Sequence, residues 1–470
     1  MQPSKFYFGG GAGDTIMHPL VALVMVVSII LTLVLPRKRI IVPFLICAFL
    51  IPVGQMLVVG GVHLFALRIV ILFAGARMIF TKLTTKKSIL GGRFDSVDVV
   101  FIVWATYRAL AFLVLFSFQS AALVNQVAFL LDVFGGYFLV RFMIHDVDDI
   151  RLAVKTLAVI AFIVGLCMVN EKLRNQNIFG YLGGQSVVPQ VRDGAIRAQG
   201  TFEHPILAGS FGATVLPLFF WLWHGCKEKR FAVIGAIGST CMVLSAASST
   251  PLLAYVAGIV GVCFWPMRNY MRVFRWGLVI VLLGLNVVMK ASVWFLIARV
   301  DLTGASSGYH RAMLVDTFVR HFREWWLFGT TNNANWGFDM WDLSNQFVAE
   351  GVSGGLVTFG CFIALISMSF GKLGKARKAA RGDRNQEWLF WFLGSALLSH
   401  VVAYFGISYF DHTQISWFAL LAMISAATAL QVKQKVKQPQ IVFEGPALPL
   451  PTAVAQKAVR RDKTSPFSMR

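Results

Sequence analysis

Between residues 16 and 430 the chain returns again and again to apolar stretches of about 20 residues, the length a helix needs to cross a hydrocarbon layer about 30 Å thick. The stretches lie at residues 16–35, 40–57, 62–80, 97–118, 121–143, 150–169, 204–223, 231–248, 251–266, 274–298, 347–370, 387–406 and 413–430. None alternates apolar and polar residues along its length as a barrel strand does, so helices are the only way to satisfy the backbone inside lipid. Hydrophobic residues make up 57% of the 470, against about 45–50% in a soluble domain. The expected fold is therefore all-α, a polytopic transmembrane bundle of about 12–13 spans. One integral domain covers residues 1–430, followed by a basic tail over 431–470.

A net charge of +21 would suggest nucleic acid in a soluble protein, but here topology accounts for it. Cationic loops alternate with loops that carry few cations. Arg37, Lys38 and Arg39 fall on one side with Lys82, Lys86, Lys87, Arg93, Arg141, Arg151, the run Lys227 to Arg230, Arg268 to Arg275, Lys372 to Arg384, and the tail. The positive-inside rule makes that side cytoplasmic, with the N-terminus outside and the C-terminus inside. No nucleic-acid partner is implied. The first eighteen residues, with Gly9 to Asp14, read as a flexible leader without a cleavable-signal pattern. The tail, with Lys433, Lys435 and Lys437, reads as disordered and resting on anionic lipid. The six cysteines form no CxxC pair and read as packing residues, and no combination has metal-ligand spacing.

Two long loops, residues 170–203 and 299–346, share the outer face, and long loops held by a rigid bundle tend to carry function. The first ends with Arg192 and Arg197, paired-donor cations suited to a diphosphate; anchoring to lipid headgroups is the competing reading. Glu203 and His204 follow where the chain re-enters the bilayer. Either can serve as a general base if burial tunes it, or can simply be satisfied by a neighbour. Pro205 suits a first helical position.

The second loop contains an amphipathic helix from Arg311 to Trp326, with Leu314, Phe318 and Phe322 on one side and Asp316, Arg320, Arg323 and Glu324 elsewhere. Ser306 or Ser307 would cap it. Trp325, Trp326, Trp336 and Trp341 suggest that it lies at the membrane surface. His310 and Arg311 open it, and a cation at a helix N-terminus is better explained by an anionic partner. Asp342, Ser344 and Asn345 precede the next span, in which Gly351 and Gly355 form a small-xxx-small face. Within the spans, Arg108 with Asp132 reads as an ion pair, while Arg68 has no obvious partner and is free to reach a lipid phosphate.

The segment Arg-x-x-Gly-x-Phe-x-His-Pro from Arg197 to Pro205, the Ser-rich turn from Ser245 to Pro251, His310-Arg311 followed by Trp-Leu-Phe-Gly at 326–329, and Asn-Gln-Phe at 345–347 before a Gly-rich span together resemble the O-antigen ligase and O-antigen polymerase superfamily. The resemblance covers roughly residues 150–430. It implies an inner-membrane glycosyltransferase that needs no metal or other cofactor. Such an enzyme transfers glycan from an undecaprenyl-diphosphate carrier to another repeat unit or to a lipid A core, alongside other polysaccharide export components.

The implied diphosphate ligands are Arg197 and Arg311, with Arg192 and Arg68. The base is His310, Glu203 or Asp342, and His204, Arg320 and Asn345 support the site. Ser344 stands where the family often has His. A repeat-unit polymerase is preferred to a ligase. The alternative is a transporter or flippase for a lipid-linked or small polar substrate, which would predict deep charges, paired broken helices and an internal repeat.

Overall fold

The computed structural model describes residues 14–85, 88–92, 94–299 and 308–437. In order these form α1 (Pro19–Val34), α2 (Ile41–Leu50), strands β1 (Met56–Val59) and β2 (Val62–Phe65), α3 (Ala66–Thr84), α4 (Ser96–Leu115), α5 (Ser120–Met143) and α6 (Val147–Arg174). Strands β3 (Gln190–Arg192) and β4 (Ala195–Arg197) follow, then α7 (Pro205–His224), α8 (Lys229–Ser245), α9 (Ser249–Cys263), α10 (Met271–Val288), α11 (Gly308–Arg320), α12 (Phe322–Trp325), α13 (Gln346–Ala379), α14 (Arg384–Tyr404) and α15 (His412–Lys437). Each apolar stretch read from the sequence contains a helix. Among the described residues α4, α5, α6, α7, α10 and α13 are long and apolar enough to cross a membrane. The proposed caps Ser306 and Ser307, most of the leader, and residues 438–470 of the tail lie outside the described residues; the helix α15 itself runs on to Lys437.

Loop contacts divide the bundle into two ends. At one, Ile16 pairs with Met56, Gln55 Nε2 donates to the Leu182 carbonyl at 2.7 Å, and Val53 N donates to Thr201 O at 3.2 Å. At the other, Arg37 bonds Asp149 at 2.9 Å, Lys155 bonds Glu228 at 3.0 Å, and Lys372 bonds Asp95 at 2.5 Å. Arg37 with Asp149 and Lys372 with Asp95 join loops that the charge pattern assigns to the same side; the other contacts involve residues within the apolar stretches. Between the ends, α7 is enclosed by α8, α9 and α14, and its small residues Ala208, Gly209, Ser210, Gly212 and Ala213 are all buried.

Three expectations are corrected. The stretches at 40–57 and 62–80 do not form helix throughout, because Gly60 and Gly61, at φ 58° and 79°, make a two-residue hairpin turn that pairs Val59 with Val62. The interior charges pair differently: Arg68 makes a bidentate bond to Asp132, at 2.7 Å to the nearer oxygen, and Arg108 instead meets Glu350 at 3.5 Å. Spacing along the chain names the charges that must be neutralised in a bundle, whereas helix packing decides which partner is within reach.

The third correction concerns Gly351 and Gly355, which receive the second outer loop rather than a neighbouring span. A side chain at Gly351 would stand 2.4 Å from the Phe318 ring, so its absence admits that ring. At Gly354 and Gly355 the helix α13 is broken. The groups freed there are taken by the loop: Val352 O accepts from Thr330 N at 2.9 Å, and Leu356 N donates to Trp326 O at 2.8 Å. Gly355 has φ +69°, and a Cβ on it would lie 2.2 Å from Leu327 O. Gly355→Ala should therefore cost about 1–3 kcal/mol from backbone strain alone. We expect a lower thermal midpoint and faster proteolysis within residues 320–340, with Gly374→Ala, which meets nothing within 4 Å, unaffected. Equal midpoints for the two variants would show that the break is not held this way.

Candidate functional site

The first arm of the site is the β3–β4 hairpin. Asp193 and Gly194, both at positive φ, close it, pairing Arg192 with Ala195 and Gln190 with Arg197. Cross-strand partners share a face, as do residues two apart along a strand, so Arg192 and Arg197 project to the same side. Below the hairpin the chain is pinned. The buried Glu171 carboxylate accepts from Gln199 N at 3.1 Å and Gly200 N at 2.9 Å, Ala198 N donates to Ser245 O at 3.1 Å, and Asn177 Nδ2 donates to Gly200 O at 2.9 Å. The last residue before α7 is His204, whose Nδ1 accepts from Ile206 N at 3.2 Å. That bond places the imidazole proton on Nε2.

The second arm is α11. Its apolar side buries Leu314 and Phe318 against Trp325, Trp336, Met340, Val348 and Val352, with Phe318 and Trp325 stacked at 3.9 Å. The expected continuous helix to Trp326 breaks at His321, which leaves Phe322 exposed and turns Trp325 and Trp336 inward instead of toward a membrane surface. On the same helix His310 Nε2 bonds the Asp339 carbonyl at 2.9 Å, and Arg311 is buried.

Between the arms lies a cavity of about 770 Å³ whose walls include Arg192, Arg197, His204, His310, Arg311, Asp342 and Ser344. Arg197 and Arg311 are each only 6% exposed, and among the described residues neither guanidinium makes an ion pair or hydrogen bond. Burial, then repulsion from Arg192, brings Arg311 down to about 10, and burial, then repulsion from Arg197 and Arg192, brings His204 to about 4, so Arg311 stays charged and His204 neutral at pH 7. Asp342 is pushed above the usual carboxylate range by burial, against the opposing pull of His310 and Arg311. Buried cations without counterions are costly, and an anion in this cavity would relieve them.

The remaining candidates stand apart. Arg68 is held by Asp132. Arg320 is exposed and pairs with Asp316 at 2.7 Å, one turn earlier. Asn345 caps α13, its side chain accepting from Phe347 N and Val348 N. Glu203 lies on the exposed surface outside the cavity walls, near Asp411. Sequence reasoning passed over Glu171 and the wall formed by Ile407, Ser408 and Phe410, whose short loop carries no charge pattern to mark it. Ser344, at the position where the resembled family often has His, does face the cavity, and its buried hydroxyl has no partner among the described residues. No group of three or more His, Cys, Asp or Glu among the described residues is placed to hold a metal ion. No protein-family model and no curated protein matches the chain.

Two outcomes follow from this geometry. Glu171→Gln turns an amide donor toward a backbone N–H and should cost about 1–3 kcal/mol in thermal unfolding. His204, depressed from 6.5 to about 4, is held neutral in the folded protein. Its contribution to stability is therefore complete above pH 6.5 and lost as pH falls through about 4. The fall in thermal midpoint across that window should be smaller in His204→Gln; an unchanged fall would mean His204 titrates normally.

Proposed function

We propose that the protein is a membrane glycosyltransferase of the O-antigen ligase and polymerase type. It would use an undecaprenyl-diphosphate-linked glycan on the outer face of a bacterial inner membrane, within a bundle of about thirteen spans whose N-terminus is outside and C-terminus inside. The observation that carries this reading is the cavity itself: Arg197 and Arg311 are buried and, among the described residues, without an ion pair or hydrogen bond from their guanidinium groups, and Arg192 lines the same cavity. Paired guanidinium donors match diphosphate oxygens, and charge fixed in advance of the reaction favours the leaving group as it gains negative charge.

In this reading the acceptor hydroxyl attacks the anomeric carbon. A bond forms from its oxygen to that carbon as the bond from carbon to the diphosphate oxygen breaks. The electron pair leaves with the carrier diphosphate, held by the arginines, and the hydroxyl proton passes to Asp342. Its raised pKa suits it to accept a proton, and it shares the cavity with Arg311. His204 Nε2–H is a hydrogen-bond donor to the bound ligand rather than a base. The acceptor is another repeat unit or a lipid A core.

A transporter or flippase is the second reading, favoured by the break in α13, since transporters bind substrates where helices are interrupted. Against it, the break is filled by the backbone of residues 326–330, and it contributes nothing to the cavity walls.

The test is the surface polysaccharide of cells carrying native protein, Arg197→Ala, Arg311→Ala or Arg320→Ala at matched membrane levels. The first two should lose polymer by at least about 100-fold, the scale of removing one transition-state donor, while Arg320→Ala stays near native. Accumulated single repeat units would identify a polymerase, and uncapped polymer a ligase. Unchanged glycan in both cavity variants would remove the glycosyltransferase reading.

A further inference from the structure

The same cavity has an aromatic mouth that the diphosphate chemistry leaves unused. Phe338 is 94% exposed, Trp341 70% and Tyr309 67%, and all three line the cavity together with the arginines. Exposed aromatic rings on a membrane protein ordinarily face headgroups at the ends of spans. These do not sit on spans. Two of them stand on a turn that is braced at several points: Asp339 O accepts from His310 Nε2 at 2.9 Å and from Asp342 N at 3.2 Å, Asn333 Nδ2 donates to Met340 O at 2.9 Å, and Trp336 Nε1 donates to Glu324 at 2.9 Å. Asp339 itself is held at φ +60°. The turn is therefore built to present Phe338 and Trp341, not left loose.

Resting on the reading under Proposed function, we propose that Tyr309, Phe338 and Trp341 form a carbohydrate platform, the subsite for the sugar joined to the diphosphate in Arg192, Arg197 and Arg311. A pyranose offers an apolar C–H face to a ring and hydroxyls around its edge. The mouth supplies both complements. Three ring faces are open, and the Asp339 and Asp342 carboxylates with the Ser344 and Ser408 hydroxyls lie along the same walls to accept from and donate to sugar hydroxyls. An anion alone would need the arginines and not the rings, and a lipid headgroup would not need rings turned into the cavity.

The test uses purified full-length protein in nanodiscs and two kinds of probe. One is citronellyl diphosphate; the other is the same compound carrying glucose, galactose or N-acetylglucosamine on the diphosphate. Native protein should bind at least one sugar-bearing probe about tenfold more tightly than the bare diphosphate, the scale of one or two aromatic contacts. Trp341→Ala and Phe338→Ala should erase that advantage while keeping affinity for bare citronellyl diphosphate within about twofold, and Trp341→Phe should retain most of it. Equal affinity of native protein for bare and sugar-bearing probes overturns the platform and leaves the diphosphate site standing. A sugar advantage that survives Trp341→Ala and Phe338→Ala also overturns it and assigns the rings to the lipid surface. Failure of native protein to bind any of the diphosphates overturns both this proposal and the function on which it rests.

Discussion

Inside a hydrocarbon layer no water is available to backbone amides and carbonyls, so a helix that breaks there must find its missing partners within the protein. The helix α13 breaks at Gly354–Gly355, and the second outer loop supplies those partners through Thr330 N and Trp326 O. These two bonds tie the loop to α13 at its break. With the loop tied down, Phe318 and Trp325 pack over Gly351, α11 is fixed on top of them, and Arg311 is carried to one wall of the cavity. Packing against α13 thus sets the position of Arg311, and Glu171 does the same for Arg197 by holding the chain at Gln199 and Gly200 just beyond it.

The charges of the protein fall into two populations with different physical roles. Arg68 with Asp132, Arg108 with Glu350 and Arg141 with Asp98 are pairs within or beside the spans, the last of them with both side chains fully buried. Each neutralises a cost that would otherwise oppose folding. Arg197 and Arg311 are equally enclosed and lack such a partner among the described residues. Arg377, equally buried and without an ion pair among the described residues, gives its guanidinium to the Arg268 carbonyl at 2.9 Å, whereas Arg197 and Arg311 turn their positive charge toward a cavity.

Much of this was legible in the sequence. The apolar stretches name the helices, because that signal depends only on local composition and on transfer between water and lipid. Arg192 and Arg197 were legible as a pair, and the Asp-Gly between them carries the hairpin turn that puts both on one face. What could not be read was partnership across the fold. Spacing along the chain points Asp132 toward Arg108, and the packing of α3 against α5 selects Arg68 instead. Asn345 resembles a site residue but serves as a helix cap, and Glu171, in the polar last turn of α6 beside Asn170, Lys172 and Arg174, gives no sign of the two amides it will hold.

The same logic explains why the cavity is divided between cationic, acidic and aromatic walls. A ligand that is anionic at one end and hydroxyl-rich at the other cannot be bound by charge alone, since uniform attraction to the anion would hold leaving group and reactant equally. Arg192 and Arg197 come from the first outer loop, while Arg311, Asp342 and Trp341 come from the second. The two loops are braced independently, one by Glu171 and Asn177 and the other by the break in α13. The proposed diphosphate would therefore be held from both loops at once, by Arg192 and Arg197 on one side and Arg311 on the other. In the proposed role of Asp342 as base, burial raises its carboxyl against the pull of His310 and Arg311, which would otherwise leave it too weak to accept a proton. In the proposed reaction the arginines would hold the leaving diphosphate and Asp342 would take the acceptor proton, and because Arg311 and Asp342 share one loop it is burial, not distance along the chain, that keeps the carboxyl from being fully claimed by the guanidinium.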